Sequence, residues 1–242
     1  MKQKFKSKKI YKNIKRFFDL WASILGVLFL SPLFLFILLL LRFTGEGETF
    51  YLQERVGYKN RLFSIYKFAT MLKNSANIGG KSITVRNDPR ITKFGKILRI
   101  SKLNELPQIL NVVIGDMSLV GPRPLLVKSV SKYDTEVQSC IYKNRPGITG
   151  IGSLVFRDEE KLVTAYKNLG YDPFEYYQNH IYPYKGKLEI WYYKNQSFSI
   201  DFKILFLTFW SLVNSNSELV FKSFKDLPAR PKSITLDGIK DL

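Results

Sequence analysis

Asn104 and Glu105 stand side by side in "SKLNELPQILNVVIGDMSLVGPRP", residues 101–124. A carboxylate and an amide at the head of an apolar helical run have two readings. One is a helix cap, because the macrodipole favours negative charge at an N-terminus and Pro107 suits a first turn. The other is chemistry. "GPRP" at 121–124 holds Arg123 in a stiff turn, and "RPGITG" at 145–150 presents Arg145 beside glycine backbone. Arginines on rigid Pro/Gly turns suit bidentate recognition of phosphate. Lys67 and Arg99 add positive charge. A carboxylate among cations points to phosphoryl chemistry on a lipid or nucleotide. Glu105 and Asp116 are then candidate Mg²⁺ ligands, since Mg²⁺ takes one or two carboxylates together with substrate phosphates. Arginines and metal would stabilise charge on the transferring phosphoryl group.

The whole chain agrees with anionic partners. Its 242 residues carry 38 Lys+Arg against 20 Asp+Glu, a net charge of +18. That excess fits nucleic acid, acidic lipid head groups or phosphorylated substrates. Cys140 is the sole cysteine, so no internal disulfide can form, which fits a reducing compartment. It reads as a packing residue. His180 has no metal-ligand spacing around it and reads as a helix-surface or core residue.

Something must hold this basic chain at its substrate, and the N-terminus suggests a membrane. Residues 1–16 contain eight Lys/Arg and no acid, and Leu20–Leu41 are 22 consecutive uncharged positions. A helix of that length reaches about 33 Å, enough to cross the roughly 30 Å hydrocarbon core. A secretory signal fits poorly, because bulky Leu40–Leu41–Arg42 offers no small-residue cleavage site. Pro32 removes the helical hydrogen bond to the Leu28 carbonyl, and the Ser31 hydroxyl is placed to help satisfy it. The helix is either kinked and spanning, or bent at Ser31–Pro32 and re-entrant. The basic tail belongs in the cytoplasm. Only re-entry keeps the remaining basic residues there too.

Beyond the helix, "ETFYLQERVG" and "RLFSIYKFATM" alternate around Gly57–Asn60 and predict a β-hairpin. "NIGGKSITVRNDP" (77–89) reads as a polar loop without phosphate-loop spacing. "RITKFGKILRISKL" places Ile91, Phe94, Ile97/Leu98 and Leu103 on one face, a basic amphipathic helix for a membrane interface or a core. The aromatic segment 172–200 suits a head-group belt, a core or a base-stacking surface. Residues 200–213 are too short to span and predict a packed or amphipathic helix. The tail from Asn214 is expected to be poorly ordered.

The ordered series "KRFFD…SP…QERVG…YKFATM…ITKFGKILR…LNELPQILNVVIGDMSLVGPRPLL…RPGITG…DFKILFLT" resembles the bacterial sugar transferases known as monotopic phosphoglycosyl transferases, from Lys15 to Thr208. The resemblance implies an α+β, mostly helical, monotopic membrane protein with a re-entrant helix, interfacial helices and a small hairpin. Its parts would be a basic tail (1–16), the membrane helix (17–43), a catalytic domain at the cytoplasmic face (44–213) and a C-terminal tail (214–242). It implies transfer of a phospho-sugar from a UDP-sugar to undecaprenyl phosphate, giving a lipid diphosphate-sugar and UMP. The setting would be the cytoplasmic face of a bacterial inner membrane rich in anionic lipid, with Mg²⁺, no nucleic acid and a possible homodimer. Ser31–Pro32 match the family's re-entry pair, Lys67 and Arg99 its supporting cations, and Arg123 and Arg145 its phosphate or nucleotide arginines.

The chain departs from that pattern twice. The family's Asp–Glu dyad falls on Asn104–Glu105, and a neutral amide is a poor nucleophile. Three explanations stand. Glu105 acts alone with Asn104 orienting phosphate or metal, the chain is a trapped variant, or it is an inactive scaffold of a glycan-assembly complex. Second, "GITGIGSLVFRDEE" replaces the "GITGWAQVNGR" of many relatives, in a region expected to touch sugar or base. A membrane-tethered nucleic-acid binder would explain the charge, but no nucleic-acid motif is present.

Overall fold

Helix α1 (Lys2–Thr44) carries the whole apolar run with Pro32 inside it. In this computed structural model, which describes residues 2–44, 46–75, 88–214 and 218–239, it is the one helix among the described residues long and apolar enough to cross a membrane. The Ser31 hydroxyl donates to the Leu28 carbonyl at 2.8 Å, the repair expected beside the proline. Both arms of α1 pack on one body. Before Pro32, Arg16 donates to the carbonyls of Val112 and Val113, and Asp19 accepts from the Ser118 hydroxyl at 2.7 Å. After it, Ile37 and Leu41 close a small core with Phe68 and Leu98. Between the arms Leu28 and Phe29 project outward, Phe29 84% exposed.

Strands β1 (Phe50–Val56) and β2 (Leu62–Phe68) form the predicted antiparallel hairpin, with Tyr51 opposite Lys67. Helix α2 (Lys93–Ile100) is capped by Thr92, whose side chain accepts from Gly95 N. The expected single apolar face is split here. Phe94 and Leu98 pack against α1, whereas Ile97 and Ile100 point outward, 60% and 74% exposed. Consecutive Ile97 and Leu98 lie about 100° apart on a helix, too far to share a narrow contact. A 3₁₀ turn (Leu103–Glu105) and helix α3 (Gln108–Ile114) follow, so Asn104 and Glu105 sit on a separate turn ahead of the apolar helical run. The polar loop at 77–89 lies, except for Asp88 and Pro89, outside the described residues.

Two short parallel strands, β3 (Ser118–Val120) and β4 (Gly147–Thr149), were not legible in the sequence. Their backbones run so close that a Cβ on Gly147 would sit 2.1 Å from Gly121 N, which requires glycine at 147. Short helices α4 (Val127–Val130) and α5 (Thr135–Cys140) lie in the crossover from β3 to β4, and α6 (Ile151–Val155) leads from β4 into the larger helical body. That body contains α7 (Glu159–Asn168), α8 (Pro173–Tyr176), a π-helical stretch (Tyr177–Ile181), α9 (Tyr182–Asn195), α10 (Phe198–Val213) and α11 (Glu218–Ser223). Its core joins Leu154, Leu162, Tyr176, Leu188, Trp191 and Ile204. Many of the aromatics of 172–200 therefore serve as core. His180 lies against the Tyr176 ring, and Cys140 is buried and free.

The C-terminal segment is not a loose tail where it is described. Val220, Phe224, Ile234 and Ile239 enter the main core. Tyr176 and Tyr184 donate their hydroxyls to the carbonyls of Ser233 and Pro228, both at 2.8 Å. Spaced apolar residues among prolines carried no helical period, yet they fill gaps left by α8 and α9.

Candidate active site

The turn carrying Asn104 and Glu105 begins at Lys102, whose φ of 60° is left-handed. This reverses the chain out of α2 and aims the turn at the hairpin. Glu105 N donates to Lys102 O, and Pro107, with no N–H to lose, leads into α3. Asn111, fully buried on α3, pins the hairpin in place. Its amide oxygen accepts from Tyr66 N at 3.0 Å, and its amide nitrogen donates to Ser64 O at 2.8 Å. Lys67, next to Tyr66 on β2, thereby reaches Glu105.

Two cations meet the same carboxylate oxygen. Arg123 Nη2 lies 3.1 Å and Lys67 Nζ 3.5 Å from Glu105 Oε1. Neither bond uses Oε2. The "GPRP" turn is stiffened from behind by Tyr142, whose hydroxyl donates to Arg123 O at 3.2 Å and accepts from Leu125 N at 2.9 Å. Burial alone would raise the Glu105 carboxyl. Arg123, Lys67 and Lys102 outweigh it and hold the group at about 2. Burial pulls Lys67 the other way, down to about 8, with Arg123 and Arg55 adding repulsion and Glu105 opposing. Arg99, on α2, is pulled down by burial, and of the carboxylates that oppose this Glu160 and Asp88 act on it more strongly than Glu105.

Asn104, 9% exposed, has no hydrogen-bond partner for its side chain among the described residues. Its amide atoms are nevertheless not sealed from solvent, so water satisfies them and a ligand can reach them. Arg55, from the "QERVG" stretch, was missed in the sequence. It lies in the same field, donates to Pro124 O at 3.4 Å, and is brought down to about 10 by burial and by Arg123. Only its position beside Arg123 in space reveals it.

Two expected members stand apart. Arg145 donates Nε to Gly115 O at 2.8 Å and covers the Tyr58 ring at 5.0 Å. With Arg16 it caps the C-terminus of α3, a favourable place for cations. Asp116 follows that same end. Seven residues of α3 put about 10 Å of helix between it and Glu105. That places Asp116 at the opposite end of α3 from Glu105, and of the two carboxylates it is Glu105 that lies among the cations. No cluster of three His, Cys, Asp or Glu exists among the described residues. What fits a Mg²⁺ here is one carboxylate, Glu105, with the neighbouring Asn104 amide, and with substrate phosphates completing the shell.

A cation-ringed carboxylate beside a long apolar helix fits an enzyme class that handles phosphorylated compounds at a membrane. The profile of the family described as bacterial sugar transferase matches residues 10–215, and the chain belongs to that family. It is 40% identical over 148 residues to the UDP-N-acetylgalactosamine-undecaprenyl-phosphate N-acetylgalactosaminephosphotransferase of Aeromonas hydrophila, covering 60% of this chain and 35% of that protein. It is 32% identical over 216 residues to the undecaprenyl-phosphate galactose phosphotransferase of Salmonella typhimurium, covering 84% of this chain and 41% of that one. It is 34% identical over 164 residues to the exopolysaccharide production protein ExoY of Rhizobium meliloti, covering 62% and 72%. The chain thus spans well under half of the first two relatives and most of the third.

Proposed function

We propose that this sugar transferase moves a sugar-1-phosphate from a UDP-sugar to undecaprenyl phosphate, giving undecaprenyl-diphosphate-sugar and UMP at the start of surface-glycan assembly. The observation that carries the reading is Glu105, ionised and held between Arg123 and Lys67 in a chain of this family. The names of the relatives favour an enzyme over an inactive scaffold.

At about 2, the Glu105 carboxyl is too weak a base to take a proton at neutral pH. Its roles are nucleophile and ligand. A Glu105 oxygen attacks the phosphorus that bears the sugar. The bond from that phosphorus to the bridging oxygen breaks, and UMP departs with the electron pair. An oxygen of undecaprenyl phosphate then attacks the same phosphorus and returns Glu105 as the carboxylate. Arg123 and Lys67 exchange their bonds to Glu105 for bonds to phosphate oxygens, and the Asn104 amide donates to the same group. Bound Mg²⁺ would neutralise phosphate charge, with Glu105 and Asn104 its protein contacts.

Lys67 makes this reading sensitive to alkaline pH. Its ammonium is present below about 8 and lost above. The expected result is a kcat/KM that falls about tenfold per pH unit above that point, because kcat/KM reports the free enzyme. Lys67→Arg should move the fall out of the accessible range. An unchanged profile in that variant would assign the limb to another group.

The same proposal places the protein at the cytoplasmic face of an inner membrane, with α1 re-entering at Ser31–Pro32. Support comes from the two arms of α1 packing on one body while Leu28 and Phe29 stay uncovered. A spanning helix would leave one arm beyond reach of that body. In a Cys140→Ser background, single cysteines at Ser7 and Leu236 should both label from the cytoplasmic side alone. Labelling of Leu236→Cys from the opposite side would establish a spanning helix.

A further inference from the structure

The turn that carries Arg123 is held at successive points by different elements. Pro122 O accepts from Gly147 N at 2.9 Å, and Leu125 O accepts from Val56 N at 2.8 Å. Pro124 O accepts from Arg55 Nη1 at 3.4 Å. Two groups between these points, Arg123 O and Leu125 N, meet no backbone partner among the described residues. One side chain serves both. The Tyr142 hydroxyl donates to Arg123 O at 3.2 Å and accepts from Leu125 N at 2.9 Å. Tyr142 is 2% exposed, and burial raises it above the ordinary phenol range, so it keeps the proton it donates.

The hydroxyl spans the one torsion that the prolines leave open. Their rings fix φ at Pro122 and Pro124, and the proline after Arg123 keeps that residue extended. Neither effect sets ψ at Pro124, which lies between Arg123 O and Leu125 N. Beyond it, Leu125 is bridged to Val56 of the hairpin that also carries Lys67. With 46% of its side chain exposed, Arg123 has little packing to aim it beyond its pair with Glu105. Once that pair is exchanged for phosphate, the backbone sets the direction.

We propose that Tyr142 is a positioning residue, whose hydroxyl bridge across Pro124 aims the Arg123 guanidinium at the transferred phosphate. The proposal rests on the reading of Arg123 as a phosphate contact.

Tyr142→Phe keeps the ring in place and removes the bridge. It lowers stability whatever Arg123 does, because two polar groups lose their partner. Anion binding, measured with and without Arg123, is therefore the deciding quantity. Inorganic pyrophosphate is titrated by calorimetry into the full chain in detergent micelles. Wild type and Arg123→Ala come first. Weaker binding in Arg123→Ala supports the phosphate contact, whereas equal binding removes that contact and the proposal with it. Tyr142→Phe should then weaken pyrophosphate about fivefold, part of the roughly tenfold or more that one charge-assisted hydrogen bond supplies, because a loosened arginine pays to be ordered on binding. Unchanged or tighter binding overturns the positioning role while leaving Arg123 as a phosphate contact. In an Arg123→Ala background Tyr142→Phe should change nothing. An undiminished loss there would mean that Tyr142 acts through another group, and it too overturns the proposal. If circular dichroism shows Tyr142→Phe unfolded, Tyr142→His, whose ring keeps a donor and an acceptor but is too short for the bridge, decides by the same pair of comparisons. Weaker binding with Arg123 present and none of that loss without it supports the proposal, and any other result overturns it.

Discussion

Glu105→Gln should abolish release of UMP from a UDP-sugar in the presence of undecaprenyl phosphate, a loss on the order of 10⁴-fold or more. Glutamine keeps the shape and removes the charge, so neither nucleophile nor strong metal ligand remains. The substitution also touches stability. A carboxyl held at about 2 rather than the ordinary 4.5 contributes on the order of 3 kcal/mol above pH 4.5. That contribution is lost as pH falls through 2. A helix-cap carboxylate exposed to solvent would contribute only about 0.3–1 kcal/mol. Thermal melts of wild type and variant should therefore differ at pH 7 and converge as pH approaches 2. An active Glu105→Gln protein would return the carboxylate to the role of a cap. Asn104→Asp completes the test. With Asn104 as a phosphate-orienting amide, the added carboxylate should leave activity similar or lower. A rise by orders of magnitude would instead mark the chain as a disabled form of an Asp–Glu dyad.

Arg123→Lys should cost about 10²-fold in kcat/KM, the scale of removing one preorganised donor to transition-state charge. Lysine keeps the positive charge but not the planar fork that meets a phosphate with two parallel bonds. The side chain is nearly half exposed, and Tyr142 holds the turn by the Arg123 carbonyl and the Leu125 N–H, so folding should not suffer. Far-ultraviolet spectra and melts report the second half of that statement, and steady-state kinetics the first. Full activity in Arg123→Lys would reduce Arg123 to a source of general positive potential. Arg145 belongs to a different category. Because it caps α3, its removal should act on stability before it acts on turnover.

The sequence by itself determined the local features. Alternation gave the hairpin, and 22 uncharged residues gave the apolar helix. Proline beside serine gave the Leu28 repair, and the motif string gave the family. Each depends on near neighbours or on a continuous string. Tertiary structure decided what required distant segments to meet. Lys67 and Arg123 lie 38 and 18 positions from Glu105, and no period links them. The β3–β4 pair depends on two glycines letting backbones touch, and a tripeptide carries no signal for that. Arg123 and Arg145 look alike in sequence, both beside proline and glycine. They differ because one turn faces the head of α3 and the other its tail, and a helix presents opposite partial charges at its two ends. Asp116 and Glu105 likewise stand at opposite ends of α3. Closeness along the chain becomes separation in space once a helix lies between, and only folding brings the distant cations to the one carboxylate.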